Sequence, residues 1–207
     1  MRNIIIGGCS FSETQGLPHS RWIPYGDIME SNLPHIKIRN IAKSSNSNAS
    51  IMKQVIEYIE TNDNTFDLAI IQLSAFGRAM LKEEDAVETL VKTRQTHLLP
   101  EIENYIGKQY ALDSILSIIA LKNYLENKGI KYKMFWGWKQ VMDNTYDKLL
   151  ESLYDENFWL YGEHGGMSEY LIDKIGNDAL LECSHPSSKG HKYFYENVIS
   201  EWVKNLI

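Results

Sequence analysis

Short apolar runs alternate along the chain with longer segments in which apolar residues recur at helical spacing. The runs at residues 3–6, 36–41, 66–73 and 131–138 have the length and the flanking turn residues of β-strands. The first run ends in Gly7-Gly8, which is typical of a buried parallel strand that is stopped by a turn. Strands that alternate with helices predict βαβ crossovers, and therefore a mostly parallel sheet with helices on both faces.

Three segments carry the helical pattern. The first contains Ile51, Val55 and Ile59 on one face, with Ser47 or Asn48 as its expected N-cap. The second ends at the helix-stop signal Asn127-Lys128-Gly129, and the third closes the chain. The apolar face of the second segment consists of Leu112, Ile115, Leu116, Ile119 and Leu125. The apolar face of the third segment consists of Tyr193, Val198, Trp202 and Leu206.

The pattern shows no internal repeat, low-complexity tract or linker, so we expect a single domain over residues 1–207. Two stretches fit the strand and helix pattern less well. Residues 82–108 are rich in charge, and residues 155–181 mix aromatic residues with glycines. We expect both to form excursions near the edge of the sheet where α/β proteins bind ligands.

Composition narrows the class of protein. The chain has 207 residues, of which 43% are hydrophobic and 23% are charged, as in a soluble globular domain. The net charge of −6 argues against nonspecific nucleic-acid binding, which needs a basic surface. No run approaches the ~18 apolar residues of a membrane span, and the first strand is too short for a signal peptide. We therefore expect a cytoplasmic protein, in which Cys9 and Cys183 are reduced.

Ser10 is the first candidate for chemistry, in the segment Gly7-Gly8-Cys9-Ser10-Phe11-Ser12 directly after the first strand. Ligands of an open parallel sheet bind beyond the carboxyl ends of the strands, so a serine on this turn faces them. The glycines permit a tight turn and the close approach of a substrate. A loop serine that only caps a helix explains the segment as well, and this segment alone favours that interpretation.

His185 is the second candidate, in the segment Glu182-Cys183-Ser184-His185-Pro186 before the last helix. A carboxylate three residues before a histidine is able to face its Nδ1–H, which leaves Nε2 to take a proton from a serine. Pro186 restricts His185 to an extended backbone. A surface histidine in a helix-capping turn fits the same residues equally well.

Together these two segments resemble the nucleophile block and the Asp-x-x-His block of the SGNH/GDSL hydrolase family, in the same order along the chain. The resemblance implies a three-layer α/β/α sandwich with a flavodoxin-like strand order. It also implies that Ser10 is the nucleophile, His185 the general base and Glu182 the orienting carboxylate. Glu182 departs from the family, which has aspartate at that position.

The middle of the chain matches the family less well. Residues 40–51 resemble its second block, with Ser45 in place of the glycine whose N–H faces the oxyanion, and with Asn48 as a further candidate for substrate contact. The third block, Gly-x-Asn-Asp, is replaced by residues 71–78. Ser74 or Arg78 is the expected substitute for the missing asparagine donor, and the sequence leaves the choice between them open.

The activity that the resemblance implies is hydrolysis of small-molecule or glycan esters through an acyl-enzyme on Ser10, without a metal or an organic cofactor. Two alternatives use the same residues: an acyltransferase, and a catalytically impaired domain that binds a glycan or a protein. Cys9 is a weaker candidate for the nucleophile and is expected to point into the core. The spacing around His185 and His191 fits no standard zinc pattern.

Overall fold

The computed structural model describes residues 2–13, 23–62, 65–76, 99–140 and 144–204, with the backbone alone over 99–107. Five strands form one sheet with the order β2-β1-β3-β4-β5, and every neighbouring pair is parallel. This is the flavodoxin-like order. The strands are β1 (Arg2–Gly7), β2 (Ile36–Asn40), β3 (Leu68–Leu73), β4 (Lys131–Trp136) and β5 (Phe158–Trp159). The predicted α/β fold with a parallel sheet is confirmed.

Seven α-helices surround the sheet within the described residues. They are α1 (Tyr25–Asn32), α2 (Asn48–Thr61), α3 (Leu99–Asn127), α4 (Asp147–Glu151), α5 (Met167–Ile175), α6 (Ser188–Phe194) and α7 (Ser200–Lys204), and a π-helical segment (Tyr195–Ile199) joins the last two. The three predicted helices correspond to α2, α3 and the α6–α7 unit. Ser47 is the N-cap of α2, because its side chain accepts a hydrogen bond from the backbone of Ser50. In this part of the chain no helix is both long and apolar enough to cross a membrane.

The sheet is buried on both faces. Ile5 packs toward α2 and α3, whereas Ile4 and Ile6 pack toward α1 and α5 to α7, because successive side chains of a strand point to opposite faces. All six residues of β3 are buried, as expected for the central strand of a covered parallel sheet. The three-layer α/β/α sandwich is therefore confirmed.

The expectation that residues 155–181 form an excursion is wrong. This segment supplies β5, whose Phe158 and Trp159 pair with β4, and α5, whose Leu171 is fully buried in the core. A strand of two residues is too short to show alternation in the sequence, which is why the pattern missed it. Of the other expected excursion, residues 82–98 lie outside the described residues, and residues 99–108 begin α3.

Candidate active site

Ser10 and His185 meet at the carboxyl edge of the sheet. Ser10 lies in the turn after β1 and is only 4% exposed, and His185 lies in the loop that precedes α6. Ser10 Oγ is 2.8 Å from His185 Nε2, although the two residues are 175 positions apart in the chain. The contact predicted from the sequence is confirmed, and its length is that of a nucleophile–base pair.

The other ring nitrogen of His185 fixes the direction of this hydrogen bond. Nδ1 is 3.0 Å from the backbone carbonyl oxygen of Cys183. A carbonyl oxygen only accepts, so the hydrogen of the neutral imidazole belongs on Nδ1. Nε2 then carries the lone pair and accepts the hydroxyl hydrogen of Ser10, which is the arrangement that a general base requires.

Glu182 does not take the place at Nδ1 that the sequence predicted for it, and the carbonyl of Cys183 occupies that position instead. A tight turn explains the difference: Ser184 N–H donates to Leu181 O at 2.9 Å, and Ser184 has a left-handed backbone with φ 63°. The turn directs a backbone carbonyl toward the imidazole and leaves the Glu182 side chain exposed. Within the described residues, that carboxylate forms no hydrogen bond or ion pair.

Asp178, the other carboxylate before His185, also lies away from the imidazole. Its side chain is 87% exposed, and one of its oxygens is 3.8 Å from Lys189 Nζ. Within the described residues, neither carboxylate that precedes His185 reaches its ring, and a main-chain carbonyl faces Nδ1.

Hydrogen bonds from two neighbouring loops hold the turn that carries Ser10. The peptide unit between Gly8 and Cys9 is fixed at both ends: Gly8 O accepts from Asn46 Nδ2 at 3.0 Å and from Lys43 N at 3.2 Å, and Cys9 N–H donates to Gln72 Oε1 at 3.0 Å. Because a peptide unit is planar, these bonds fix its orientation and limit how Ser10 is presented. The loop after β2 and the end of β3 therefore position the nucleophile turn.

Gln72 is a site residue that the sequence analysis missed. It is fully buried on β3, its Nε2 donates to Leu73 O at 2.5 Å, and its Oε1 also accepts from Cys9 Sγ at 3.2 Å. A Cβ on Gly137 would lie 2.6 Å from Gln72 Nε2, so only glycine leaves room for this amide. The signal in the sequence is a glutamine inside an apolar strand, since a buried amide needs hydrogen-bond partners.

Cys9 points away from the ligand-binding edge, as predicted. It is fully buried, and its thiol contacts the Gln72 amide oxygen. Cys183 is exposed, and both cysteines are free thiols.

The backbone N–H groups of Ser10 and Ser45 are the two candidates for binding an oxyanion. Neither Ser10 N nor Ser45 N donates to any described residue. Ser45 has φ 64°, in the left-handed region that favours glycine, which is compatible with the expectation that Ser45 replaces a glycine. Cys9 O accepts from Ser12 N at 3.0 Å, and in a trans peptide the Ser10 N–H points opposite to that carbonyl.

Asn48 has a structural role in place of the predicted substrate contact. It is 2% exposed, and its amide pairs with the backbone of Ser74: Ser74 N–H donates to Oδ1 at 2.8 Å, and Nδ2 donates to Ser74 O at 3.0 Å. An asparagine amide matches a peptide group, so it ties the end of β3 to the start of α2. The Ser74 hydroxyl is itself fully buried and forms no hydrogen bond to any described residue, which leaves it unavailable to a ligand in this conformation. Arg78 lies outside the described residues.

Aromatic rings pack against His185. The ring of Phe11 lies 5.0 Å from that of His185 and 5.0 Å from that of Trp138, which is half-buried. Trp136, in contrast, is fully buried in the core. Phe11 therefore restricts the imidazole on the side opposite to solvent, through packing and not through charge.

Burial prevents His191 from acting as an acid or base in the site. It is fully buried, and desolvation, together with the charge of nearby His185, lowers the pKa of His191 to about 3. The ring is thus uncharged at neutral pH. Across the described ranges, no three His, Cys, Asp or Glu side chains are grouped so that they could hold a metal ion.

No family model and no curated protein matches this chain. Solved structures match it over nearly its whole length. Esterase EstA from Pseudoalteromonas sp. has a TM-score of 0.59 at 13% identity, covering 99% of this chain and 100% of that chain. A variant of Axe2, an acetyl xylan esterase from Geobacillus stearothermophilus, has a TM-score of 0.51 at 14% identity, covering 97% and 94%.

A protein from Desulfitobacterium hafniense, described as a lipolytic protein of the G-D-S-L family, has a TM-score of 0.50 at 14% identity, with 95% of this chain and 97% of that chain covered. At such identities the likeness shows a shared fold. The fold is that of these esterases and lipolytic proteins.

Proposed function

We propose that this chain, which has the SGNH hydrolase fold, is a serine ester hydrolase of the SGNH/GDSL family. The observation that carries the proposal is the 2.8 Å contact between Ser10 Oγ and His185 Nε2 at the carboxyl edge of the sheet. At that edge an α/β protein binds its ligands, and there the fold presents a hydroxyl to an unprotonated ring nitrogen.

The reaction proceeds in two halves. Ser10 Oγ attacks the ester carbonyl carbon while its proton passes to His185 Nε2, and the tetrahedral intermediate then expels the alcohol, which takes the proton from Nε2. Water attacks the resulting acyl-Ser10 in the same way, giving its proton to Nε2. Collapse of the second intermediate returns that proton to Ser10 Oγ and releases the carboxylic acid.

The backbone carbonyl of Cys183 takes the role of the orienting carboxylate of a catalytic triad. It holds the Nδ1–H tautomer through a 3.0 Å hydrogen bond, but it adds no full negative charge beside the imidazolium that forms during the reaction. The backbone N–H groups of Ser10 and Ser45 would stabilise the oxyanion. Each such donor contributes about 3 kcal/mol to the transition state.

Labelling with a fluorophosphonate tests the proposal directly, because this probe reacts only with a serine that is activated as a nucleophile. We expect one stoichiometric adduct, located on Ser10 by peptide mass spectrometry, and none in Ser10→Ala. EstA has been solved inhibited by monoethylphosphonate, so a phosphonate suits a protein of this fold. An intact Ser10 that remains unlabelled would instead favour the impaired glycan- or protein-binding domain.

Transfer of the acyl group to an acceptor alcohol uses the same acyl-enzyme. Product analysis separates the two activities, since a hydrolase releases one carboxylic acid for each ester consumed even when the acceptor is in excess.

Glu182→Gln is expected to change kcat/KM for p-nitrophenyl acetate by no more than about twofold, because an exposed carboxylate without a partner contributes little. Initial rates across pH 6–9 measure this. A loss of tenfold or more would show that Glu182 reaches the imidazole during turnover and would restore it as the orienting carboxylate.

Gln72→Met is expected to lower kcat by roughly 10–100-fold with little change in KM, because the nucleophile turn loses its bond to β3 and small misplacements are costly. The variant also leaves the buried Cys9 N–H unsatisfied, which destabilises the fold by about 1–3 kcal/mol. Kinetics are therefore measured well below the melting temperature of every variant.

Gln140→Met is the matched control for this loss of stability. Gln140 is also a buried amide, and it bonds Phe76 N at 3.2 Å and Trp138 O at 2.8 Å without touching the nucleophile turn. An equal fall of kcat in the two variants would show that Gln72 stabilises the fold and does not specifically position Ser10.

A further inference from the structure

A polar groove begins beside the nucleophile turn and runs along α2. It has a volume of about 600 Å³, within the range of ligand sites. Its lining consists of Glu13, Asn40, Ile41, Ala42, Lys43, Gln54, Glu57, Tyr58 and Thr61. No part of the mechanism above uses it.

One end of the groove lies close to Ser10. Glu13 follows Ser10 by three residues, so their Cα atoms are at most ~11 Å apart. Glu13 Oε2 accepts from Ser44 N at 3.0 Å, and Lys43 N donates to Gly8 O at 3.2 Å, so the rim of the groove joins the turn of Ser10 to the loop of Ser45. A substrate whose carbonyl reaches Ser10 is thus able to extend into the groove.

The groove has the length of about two sugar rings. Gln54, Glu57, Tyr58 and Thr61 lie on one face of α2 at helical spacing, and the seven-residue step from Gln54 to Thr61 spans ~10 Å. The groove therefore extends away from the catalytic edge along the helix, over a length that matches two linked sugar rings.

The lining favours a hydroxyl-rich ligand over an acyl chain. The lining includes carboxylate, ammonium, amide and hydroxyl groups, and covering them with a hydrocarbon chain would remove charged groups from water without compensation. The side chains of Lys43 and Glu57 form no ion pair or hydrogen bond within the described residues, so a donor and an acceptor are open. The half-buried ring of Tyr58, backed by Phe66 at 6.1 Å, offers an apolar face for a sugar ring.

Resting on the proposed function, we propose that this groove binds the alcohol part of the substrate, and that this part is an uncharged carbohydrate about the size of a disaccharide. Two carboxylates against one ammonium in the lining disfavour an anionic sugar or a phosphate. The substrate class is therefore a carbohydrate ester with a short acyl group.

The first test compares substrates that do and do not reach the groove. In Lys43→Ala/Glu57→Ala, the ratio of kcat/KM for mono-O-acetyl xylobiose to kcat/KM for p-nitrophenyl acetate should fall at least about tenfold, through KM. Both side chains are exposed, so the fold should tolerate their loss. Lys53→Ala, which removes an exposed lysine of α2 outside the groove, should leave the ratio unchanged. A ratio that stays constant in the double variant, or a selective loss on p-nitrophenyl decanoate, overturns the proposal.

The second test needs no turnover. Xylobiose should bind Ser10→Ala in an NMR titration, with shifts at Lys43, Glu57 and Tyr58, and the Lys43→Ala/Glu57→Ala changes should abolish binding. If wild type hydrolyses no ester while xylobiose binds at these residues, the proposed hydrolase activity fails and the groove assignment stands. If esters are hydrolysed while xylobiose does not bind and the substrate ratio is unchanged, the groove assignment fails alone.

Discussion

Ser10→Ala is expected to lower kcat for p-nitrophenyl acetate by roughly 10⁴–10⁶-fold, and the activity that remains would come from substrate binding and the backbone oxyanion donors. The substitution removes the oxygen that forms the acyl-enzyme, and no described side chain replaces it: Cys9 is buried against Gln72, and the Ser12 hydroxyl is buried and bonded to Tyr25 OH at 2.7 Å. Stopped-flow measurement of p-nitrophenol release reports both the burst and the steady state.

The fold should survive this change, since it removes one hydroxyl from a turn that other residues hold in place. The melting temperature should therefore stay within a few degrees of wild type. Ser31→Ala is the matched control, because it removes an exposed hydroxyl of α1 far from the catalytic edge, and its kcat should equal that of wild type. Steady-state hydrolysis that persists in Ser10→Ala would remove the basis of the whole mechanism.

His185→Ala is expected to cause the second large loss, a fall of kcat by roughly 10⁴-fold, because Ser10 then has no acceptor for its proton. The variant leaves space beside Phe11, whose ring lies 5.0 Å from the imidazole. Added imidazole at tens of millimolar should enter that space and restore part of the activity, in proportion to its unprotonated fraction. Added imidazole restores activity when only the base is missing, and it does not restore activity when the fold is lost.

His35→Ala is the control for removal of an imidazole from the surface. His35 is exposed immediately before β2, at the edge of the sheet opposite to Ser10, and its removal should change neither kcat nor the response to imidazole. If His185→Ala retained near wild-type kcat, another group would have to serve as the base. Ser10→Ala should show no rescue, because imidazole supplies a base and no attached nucleophile.

Periodicity along the chain was enough to predict the layers of the molecule. Apolar runs such as Leu68–Leu73 must be buried on both faces, and helices between the strands force parallel crossovers, so the layers follow from periodicity. The contact between Ser10 and His185 was instead predicted from the resemblance of their two segments to the SGNH/GDSL blocks, since each segment alone was explained as well by a helix-capping turn, and the structure places the two side chains in contact. The prediction of the layers depends on local patterns and on one topological rule, and it does not need the direction of an individual side chain. Strand β5 was not predicted, because its two residues are too few to show a periodic pattern.

The groups that support Ser10 and His185 could be identified only in the folded molecule. Spacing predicted a Glu182–His185 bond, but the left-handed backbone of Ser184 turns the Cys183 carbonyl toward Nδ1 and leaves Glu182 in solvent. The hydrogen-bond partners of the buried amides could not be predicted from the sequence either. Gln72 bonds Cys9, which is 63 positions away, and Asn48 bonds Ser74, which is 26 positions away. A hydrogen bond depends on angles and distances of a few tenths of an ångström between distant segments. Those quantities exist only once the sheet and its loops have packed, and no pattern along the chain records them.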